Sequence, residues 1–224
     1  MTILEQKTAE LKEKLIAMAA IVEEMVANSI KALTDRNSAL AEKVITADEE
    51  QVNQLEIEIE DTAINIIALH QPEARDLRTL TMVIKINNDL ERIGDHAENI
   101  AQAALFLIPR PPVKPLIDLP RMAQHTIAML KDSLDAFTKN DAELARDVCT
   151  RDTTVDSLKD QINRELITYM TSDASTIDRA LKLMLISLNL ERIADLATNI
   201  SEDVIFMVKA EVIKHGKGEA KSAD

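Results

Sequence analysis

The chain carries one motif twice, as LERIGDHAENI at residues 90–100 and as LERIADLATNI at residues 190–200. In each copy, apolar residues recur at spacings of three and four, which places them along one side of an α-helix. The carboxylates of the motif fall on the opposite side. The motif therefore predicts a helix that packs into a bundle with one face and turns acidic side chains outward with the other.

The similarity between the two halves extends upstream of the motif. The matching apolar positions are Leu40, Val44, Val52, Leu55 and Ile59, which pair with Leu144, Val148, Val155, Leu158 and Ile162. The offset is 104 residues for the first two pairs, 103 for the next three and 100 for the motif itself. Because the offset changes only in the connections, we infer an internal duplication.

The composition favours an all-α fold. Apolar residues make up 46% of the chain but aromatic residues only 2%, so the core must be built from aliphatic side chains and methionine. Gly94 is the single glycine before residue 216, too few for the tight turns of a many-stranded sheet.

Prolines and capping residues divide the chain. Five of the six prolines lie between residues 109 and 120, where missing amide donors prevent a continuous helix. We predict a first repeat at 1–108, a proline-rich linker at 109–120, a second repeat at 121–212 and a flexible tail at 213–224. Each repeat is predicted to contain a long helix, a turn with a short helical piece, and a helical hairpin. The long helices are placed at 4–34 and 119–137, and the hairpin arms at 48–69, 74–107, 151–170 and 175–212.

Several classes of protein do not fit the sequence. A net charge of -13 disfavours binding to nucleic acid, and the longest apolar runs are too short to span a membrane. The N-terminus does not resemble a secretory signal, and the lone Cys149 suits a reducing cytosol. We therefore expect a cytoplasmic protein with no nucleic-acid partner and no membrane insertion.

Carboxylates from neighbouring helices are predicted to converge in each repeat. A hairpin that turns near residue 71 brings the start of its first arm beside the middle of its second, next to the motif. In the first repeat Glu49 and Asn53 would then flank Glu91 and Asp95, with Asp48 as an alternative to Glu49. In the second repeat the corresponding residues are Asp152, Asp156, Glu191 and Asp195.

Such a cluster calls for a cation or a partner, because converging carboxylates repel one another. Carboxylate and amide oxygens suit hard metals such as magnesium, manganese or iron. A solvated acidic face without a ligand is the alternative. The sequence offers no catalytic residues, since it lacks a Glu-x-x-His pair, a nucleophile motif and a phosphate-binding glycine loop. We therefore predict that the chain is not an enzyme.

The doubled motif, preceded by QPEARDLR at residues 71–78, resembles the PhoU family of phosphate-uptake regulators. The resemblance spans both repeats and implies six main helices in two tandem three-helix bundles. It also implies an adaptor that links the ATPase subunit of a phosphate ABC transporter to a sensor histidine kinase. Such proteins negatively regulate phosphate uptake and the phosphate-starvation response, and they form homodimers.

The resemblance further implies iron or zinc clusters held by Glu/Asp-x-x-x-Asp motifs. By position these motifs fall on Glu91 with Asp95, Glu191 with Asp195, Asp152 with Asp156, and more weakly Glu49 with Asn53. Ala194 and Leu196 replace the family's usual glycine and histidine, so the resemblance leaves open whether both halves bind metal equally. Two alternatives remain open, a metal-dependent enzyme acting on a phosphorylated substrate and a purely structural helical scaffold.

Overall fold

A computed structural model describes residues 2–212, and this part of the chain contains α-helices, short helical turns and loops but no strand. The helices are α1 (Ile3–Thr34), α2 (Ser38–Lys43), α3 (Glu49–His70), α4 (Ala74–Leu107), α5 (Asp118–Lys139), α6 (Ala142–Ser172) and α7 (Ile177–Lys209). The prediction of an all-α fold is confirmed. The tail predicted at 213–224 lies outside the described residues.

Six long helices form two three-helix bundles, as predicted. The first bundle consists of α1, α3 and α4, and the second of α5, α6 and α7. The two bundles share one core, because α4 packs along α7 and α1 packs against α5. The apolar stripes of both motif helices lie in this core, where Leu90, Ile93, Leu190 and Ile193 are fully buried.

The chain reverses where the local sequence disfavours a helix. Gln71 adopts a left-handed backbone conformation at the end of α3, and Pro72 follows it. Asn140 does the same at the end of α5, and the side chain of Asp141 then accepts hydrogen bonds from the first amides of α6. The hairpin of α6 and α7 reverses at Asp173, whose side chain accepts a hydrogen bond from the backbone amide of Ser175. The turns at Gln71 and Asp173 make the α3–α4 and α6–α7 hairpins antiparallel, which fixes the residues that face one another.

The boundaries predicted around the linker need correction. Helix α5 begins at Asp118, three residues before the predicted start of the second repeat at 121, and includes Pro120. A proline fits in the first helical turn because the amide of that position has no intrahelical partner. The linker is held to the second bundle by Lys114, which is 8% exposed and pairs with Glu165 and Asp118.

The predicted first arm of the second hairpin is also wrong at its N-terminal end. We predicted an arm at 151–170 after a separate short piece, but α6 runs without a break from Ala142 to Ser172. In the first repeat the corresponding pieces, α2 and α3, are joined by a π-helical turn at Val44–Asp48. The reason is one extra residue between Val44 and Val52, which the wider π turn accommodates.

Candidate functional site

The start of α3 lies beside the middle of α4, so that three carboxylates of the first repeat meet. Glu49, Asp95 and Glu98 each place a carboxylate oxygen within 4.8 Å of the others. Asp95 is exposed, whereas Glu49 and Glu98 are half-buried at the rim of the helix pair. We call this group, together with the neighbouring Glu91, the first cluster.

The π turn decides which acidic residue faces α4. Asp48, the last residue of that turn, is buried and its Oδ1 lies 3.2 Å from Lys43 Nζ. Glu49 is the first residue of α3 and takes the position in the first cluster. The structure thus selects Glu49 over the alternative Asp48.

The first cluster is crowded with negative charge. The pKa of Glu91 is raised, first by burial and then by the nearby carboxylates of Asp95, Glu56 and Glu49, while Arg92 opposes the shift. Asn53 holds Glu49 in place, because its side-chain amide donates a hydrogen bond to Glu49 Oε1. Of the residues that we predicted for this repeat, Glu49 and Asp95 place carboxylate oxygens within 4.8 Å of each other. The charges of both raise the pKa of Glu91, and Asn53 donates a hydrogen bond to Glu49.

Glu98 belongs to the first cluster but was not among the predicted residues. It lies three residues after Asp95 and so shares a face of α4 with it. The prediction followed positions that carry a carboxylate or an amide side chain in both repeats, and the counterpart of Glu98 is Thr198. Helical spacing from Asp95 alone would have found it.

The second repeat gathers the four predicted carboxylates between α6 and α7, and we call them the second cluster. The pKa of Asp152 is raised to about 6, first by burial and then by the charges of Asp195, Asp156 and Glu191. Its Oδ1 is buried and has no hydrogen-bond partner among the described residues. The pKa of Asp195 is raised for the same reasons, with burial the largest and Glu191 next.

Two basic side chains enter the second cluster. Lys159 Nζ lies 2.9 Å from Glu191 Oε1 and 3.5 Å from Asp156 Oδ1. Arg192 Nη1 lies 3.4 Å from Asp195 Oδ2, and Arg192 Nε lies 3.6 Å from Glu191 Oε2. Within residues 2–212, three carboxylate oxygens close enough to share one ion occur only in the first cluster.

The first cluster offers three oxygen atoms of the kind that hard divalent cations prefer as ligands. Oxygen ligands on opposite sides of an ion at 2.0–2.6 Å lie roughly 4 to 5 Å apart, and the oxygens of Glu49, Asp95 and Glu98 are no more than 4.8 Å apart. All three side chains come from helices, which fix the positions of their backbones. In the second cluster Asp152, Asp156, Glu191 and Asp195 offer the same oxygen chemistry, but Lys159 and Arg192 already neutralise part of its charge.

Cys149 lies near the second cluster without the chemistry of a metal-binding thiolate. Burial, and then the charge of Glu202, raises the pKa of its thiol to about 11. At neutral pH the thiol therefore stays protonated, and thiolate is the form that binds metal and attacks substrates. The cluster is accordingly an oxygen-only ligand set.

Comparison with known proteins places the two halves of the fold in one family. The PhoU domain matches the chain twice, at residues 15–104 and 119–204. This chain belongs to the PhoU family. The match covers most of both hairpins and includes each residue of the two clusters, so both PhoU domains carry a carboxylate cluster between their last two helices.

Relatives agree over nearly the whole length. The phosphate-specific transport system accessory protein PhoU homolog of Aquifex aeolicus is 42% identical over 206 residues, which cover 92% of this chain and 93% of that protein. The PhoU homolog 2 of Thermotoga maritima is 40% identical over 212 residues, covering 95% and 90% of the two chains. The crystal structure of PhoU from Pseudomonas aeruginosa superimposes with a TM-score of 0.89 at 36% identity, covering 92% of this chain and 99% of that chain.

The Aquifex and Thermotoga relatives are named as accessory proteins. The phosphate transport system regulatory protein PhoU from Streptococcus pneumoniae has the same helical scaffold, with a TM-score of 0.86 at 28% identity over 93% of this chain and 98% of that chain. The prediction that the chain is not an enzyme agrees with them. No helix among residues 2–212 combines the length and the apolar character needed to cross a lipid bilayer.

Proposed function

We propose that this protein regulates phosphate uptake in the cytoplasm as a homodimeric adaptor. Its partners are the ATPase subunit of a phosphate ABC transporter and a sensor histidine kinase, and its effect on uptake and on the phosphate-starvation response is negative. Family membership supports the link to phosphate transport, since similar proteins are named as accessory to the phosphate-specific transport system. The observation that carries the adaptor role is a pair of acidic clusters on two rigid hairpins of one molecule.

A metal ion completes this proposal. Two carboxylates about 5 Å apart repel each other by roughly 3 kcal/mol at an effective dielectric constant of 20, and the first cluster holds three within 4.8 Å. A divalent cation relieves that repulsion and joins α3 to α4. Glu49, Asp95, Glu98 and Glu91 would hold it in the first repeat, and Asp152, Asp156, Glu191 and Asp195 in the second. Iron or zinc follows from the family resemblance, whereas the oxygen ligands also suit magnesium or manganese.

The adaptor role is tested by co-precipitation with the transporter's ATPase subunit and with the kinase under high phosphate. We expect both partners to be retained by the wild-type protein and lost from Asp95→Asn/Asp195→Asn. The matched control is Asp61→Asn/Asp160→Asn, which removes two exposed carboxylates from α3 and α6 and is expected to retain both partners. Retention of neither partner by the wild-type protein would contradict the adaptor role.

A phosphate-responsive reporter in cells, together with an activity assay, distinguishes the adaptor from a structural scaffold and from a metal-dependent enzyme. We expect the cluster variant to switch the starvation response on at high phosphate, while the control variant keeps it off. A reporter that stays off with the cluster variant would instead support a purely structural scaffold. Turnover of a phosphorylated substrate that disappears with the same variant would support a metal-dependent enzyme.

A further inference from the structure

We propose that Lys159 is a built-in counter-cation of the second cluster, so that metal ions bind preferentially to the first cluster. This inference depends on the proposed metal binding and specifies that the first cluster, rather than the second, is the preferred site. It assigns to one side chain a role that distinguishes two otherwise similar halves.

The position of Lys159 on α6 aims it into the second cluster. Lys159 follows Asp152 by seven residues and Asp156 by three, so the three side chains share one face of the helix. The ammonium lies between the helices, 2.9 Å from Glu191 Oε1 on α7 and 3.5 Å from Asp156 Oδ1 on α6. Its side chain is only 22% exposed, so this ion pair is shielded from solvent more than an ordinary surface pair.

The first repeat has the opposite charge at this position. At the offset of 103 that relates α3 to α6, the counterpart of Lys159 is Glu56. Glu56 follows Glu49 by seven residues and Asn53 by three, so it lies on the face of α3 that carries the first cluster, as Lys159 does on α6. One position therefore supplies a cation to the second cluster and an anion to the first, a difference of two charge units.

A second difference between the repeats acts in the same direction. Arg92 and Arg192 occupy equivalent positions, but Arg92 Nη1 lies 3.5 Å from Asp89 Oδ1. The counterpart of Asp89 is Asn189, which offers no charge, and Arg192 contacts Glu191 and Asp195 of the second cluster instead. The second cluster is thus neutralised from both sides by the protein itself.

A metal ion that enters the second cluster must first separate Lys159 from Glu191. In the first cluster the three converging oxygens of Glu49, Asp95 and Glu98 require no such displacement. We therefore expect the first cluster to bind a divalent cation at least tenfold more tightly than the second. Replacing Lys159 with glutamine should remove most of that difference.

The experiment is a titration of metal-free protein with Mn²⁺, followed by calorimetry and by paramagnetic broadening of amide signals. Broadening identifies the site, because it reaches residues around Asp95 or around Asp195 according to where Mn²⁺ binds. We expect the signals around Asp95 to broaden first. Asp95→Asn should abolish the tight phase, and Asp195→Asn should leave it unchanged.

Lys159→Gln and Lys159→Glu test the counter-cation directly. Both should tighten Mn²⁺ binding around Asp195 at least tenfold, with Lys159→Glu, which reproduces the first repeat, having the larger effect. The matched control is Lys139→Gln, which removes an exposed lysine paired with Asp135 on α5 and should change neither phase. The helical circular dichroism of each variant verifies that it is folded.

The outcomes separate the inference from the proposal on which it depends. Equal affinities at the two clusters of the wild-type protein, or a second cluster unaffected by both Lys159 variants, would overturn the counter-cation and leave metal binding intact. An absence of Mn²⁺, Fe²⁺ and Zn²⁺ binding in the wild-type protein and in Lys159→Gln would overturn both.

Discussion

His96 of α4 lies against Asn189 of α7, with 2.9 Å between His96 Nδ1 and Asn189 Oδ1. Asn189 Nδ2 donates to the backbone oxygen of Leu185, so its Oδ1 is left to accept and His96 Nδ1 must donate. The contact joins the two repeats at their central helix pair. The equivalent contact on the other side of the pair is absent, because Leu196 and Asp89 occupy those positions.

Replacing His96 with leucine, the residue of the second repeat, should weaken the joint between repeats. Asn189 Oδ1 would lose its donor in a position where the residue is only 5% exposed. We expect the free energy of unfolding to fall by about 1 to 2 kcal/mol, measured by urea denaturation. His125→Leu, at an exposed position of α5, is the control and should change it little. An unchanged stability for His96→Leu would show that the contact is not formed in solution.

Replacing Gly94 with alanine should stabilise the protein. Gly94 lies inside α4, where glycine costs roughly 0.5 to 1 kcal/mol relative to alanine. A Cβ atom there would meet Val52 Cγ1 at 3.4 Å and Met25 Cε at 3.8 Å, which are van der Waals contacts. The second repeat already has Ala194 at this position, so Ala194→Gly is the matched variant and should destabilise by a similar amount. Thermal unfolding should give a higher melting temperature for Gly94→Ala and a lower one for Ala194→Gly than for the wild-type protein. A lower melting temperature for Gly94→Ala would contradict the prediction.

The pKa of Asp152 predicts a pH-dependent stability in metal-free buffer. A folded-state pKa of about 6, above the ordinary value of 3.8, means that the native state binds this proton more tightly than the unfolded state. The native state is therefore favoured below about pH 4, and the advantage disappears as the pH rises through 6. Asp152→Asn should stabilise the protein at pH 8 by about 1 kcal/mol, after a discount for partial exposure.

The Asp152→Asn effect should largely disappear at pH 4, where Asp152 of the folded protein is protonated and so uncharged like asparagine. Urea denaturation at the two pH values, with a chelator present, measures the difference. Asp160→Asn, at an exposed position of the same helix, is expected to show no such dependence. A stabilisation of equal size at both pH values would indicate a change in packing and would contradict the electrostatic origin.

Cys149 should react slowly with thiol reagents in the native protein. A pKa of about 11 instead of the ordinary 9.0 lowers its thiolate population at pH 7.5 by about a hundredfold. Because the chain has a single cysteine, labelling with a chromogenic disulfide reports this site alone. We expect the rate to rise about a hundredfold in urea and to increase with pH up to about 11. Equal rates in the native and unfolded protein would contradict the burial.

Much of the fold was predictable because it depends on local signals. The apolar stripe around Leu90 and its copy around Leu190 predicted the central helices, and Pro72 predicted the first hairpin turn. The start of α6 was missed because helical propensity does not reveal whether a one-residue difference breaks a helix or widens a turn. Both outcomes keep the valine that precedes the difference, Val44 or Val148, fully buried.

The sequence predicted most of the carboxylates that meet in each cluster, but it did not predict which basic side chains pair with them. Antiparallel pairing brings Glu49 to Asp95 from chain geometry alone. The pairing of Arg192 with Asp195 and of Arg92 with Asp89 depends on side-chain conformations, which residue spacing does not determine. Glu98 was missed because the comparison of repeats favoured shared positions over helical neighbours of one copy.

The π turn at Val44–Asp48 marks a place where the polypeptide tolerates a change of length. Ala47, within it, is exposed, so shortening the chain there would remove no core side chain. In a protein that lacks Ala47, α2 and α3 would form one continuous α-helix, as α6 does in the second repeat. Deleting Ala47 would therefore rotate α2 by one residue about the helix axis relative to α3, while the α3–α4 hairpin that carries the first cluster stays in place.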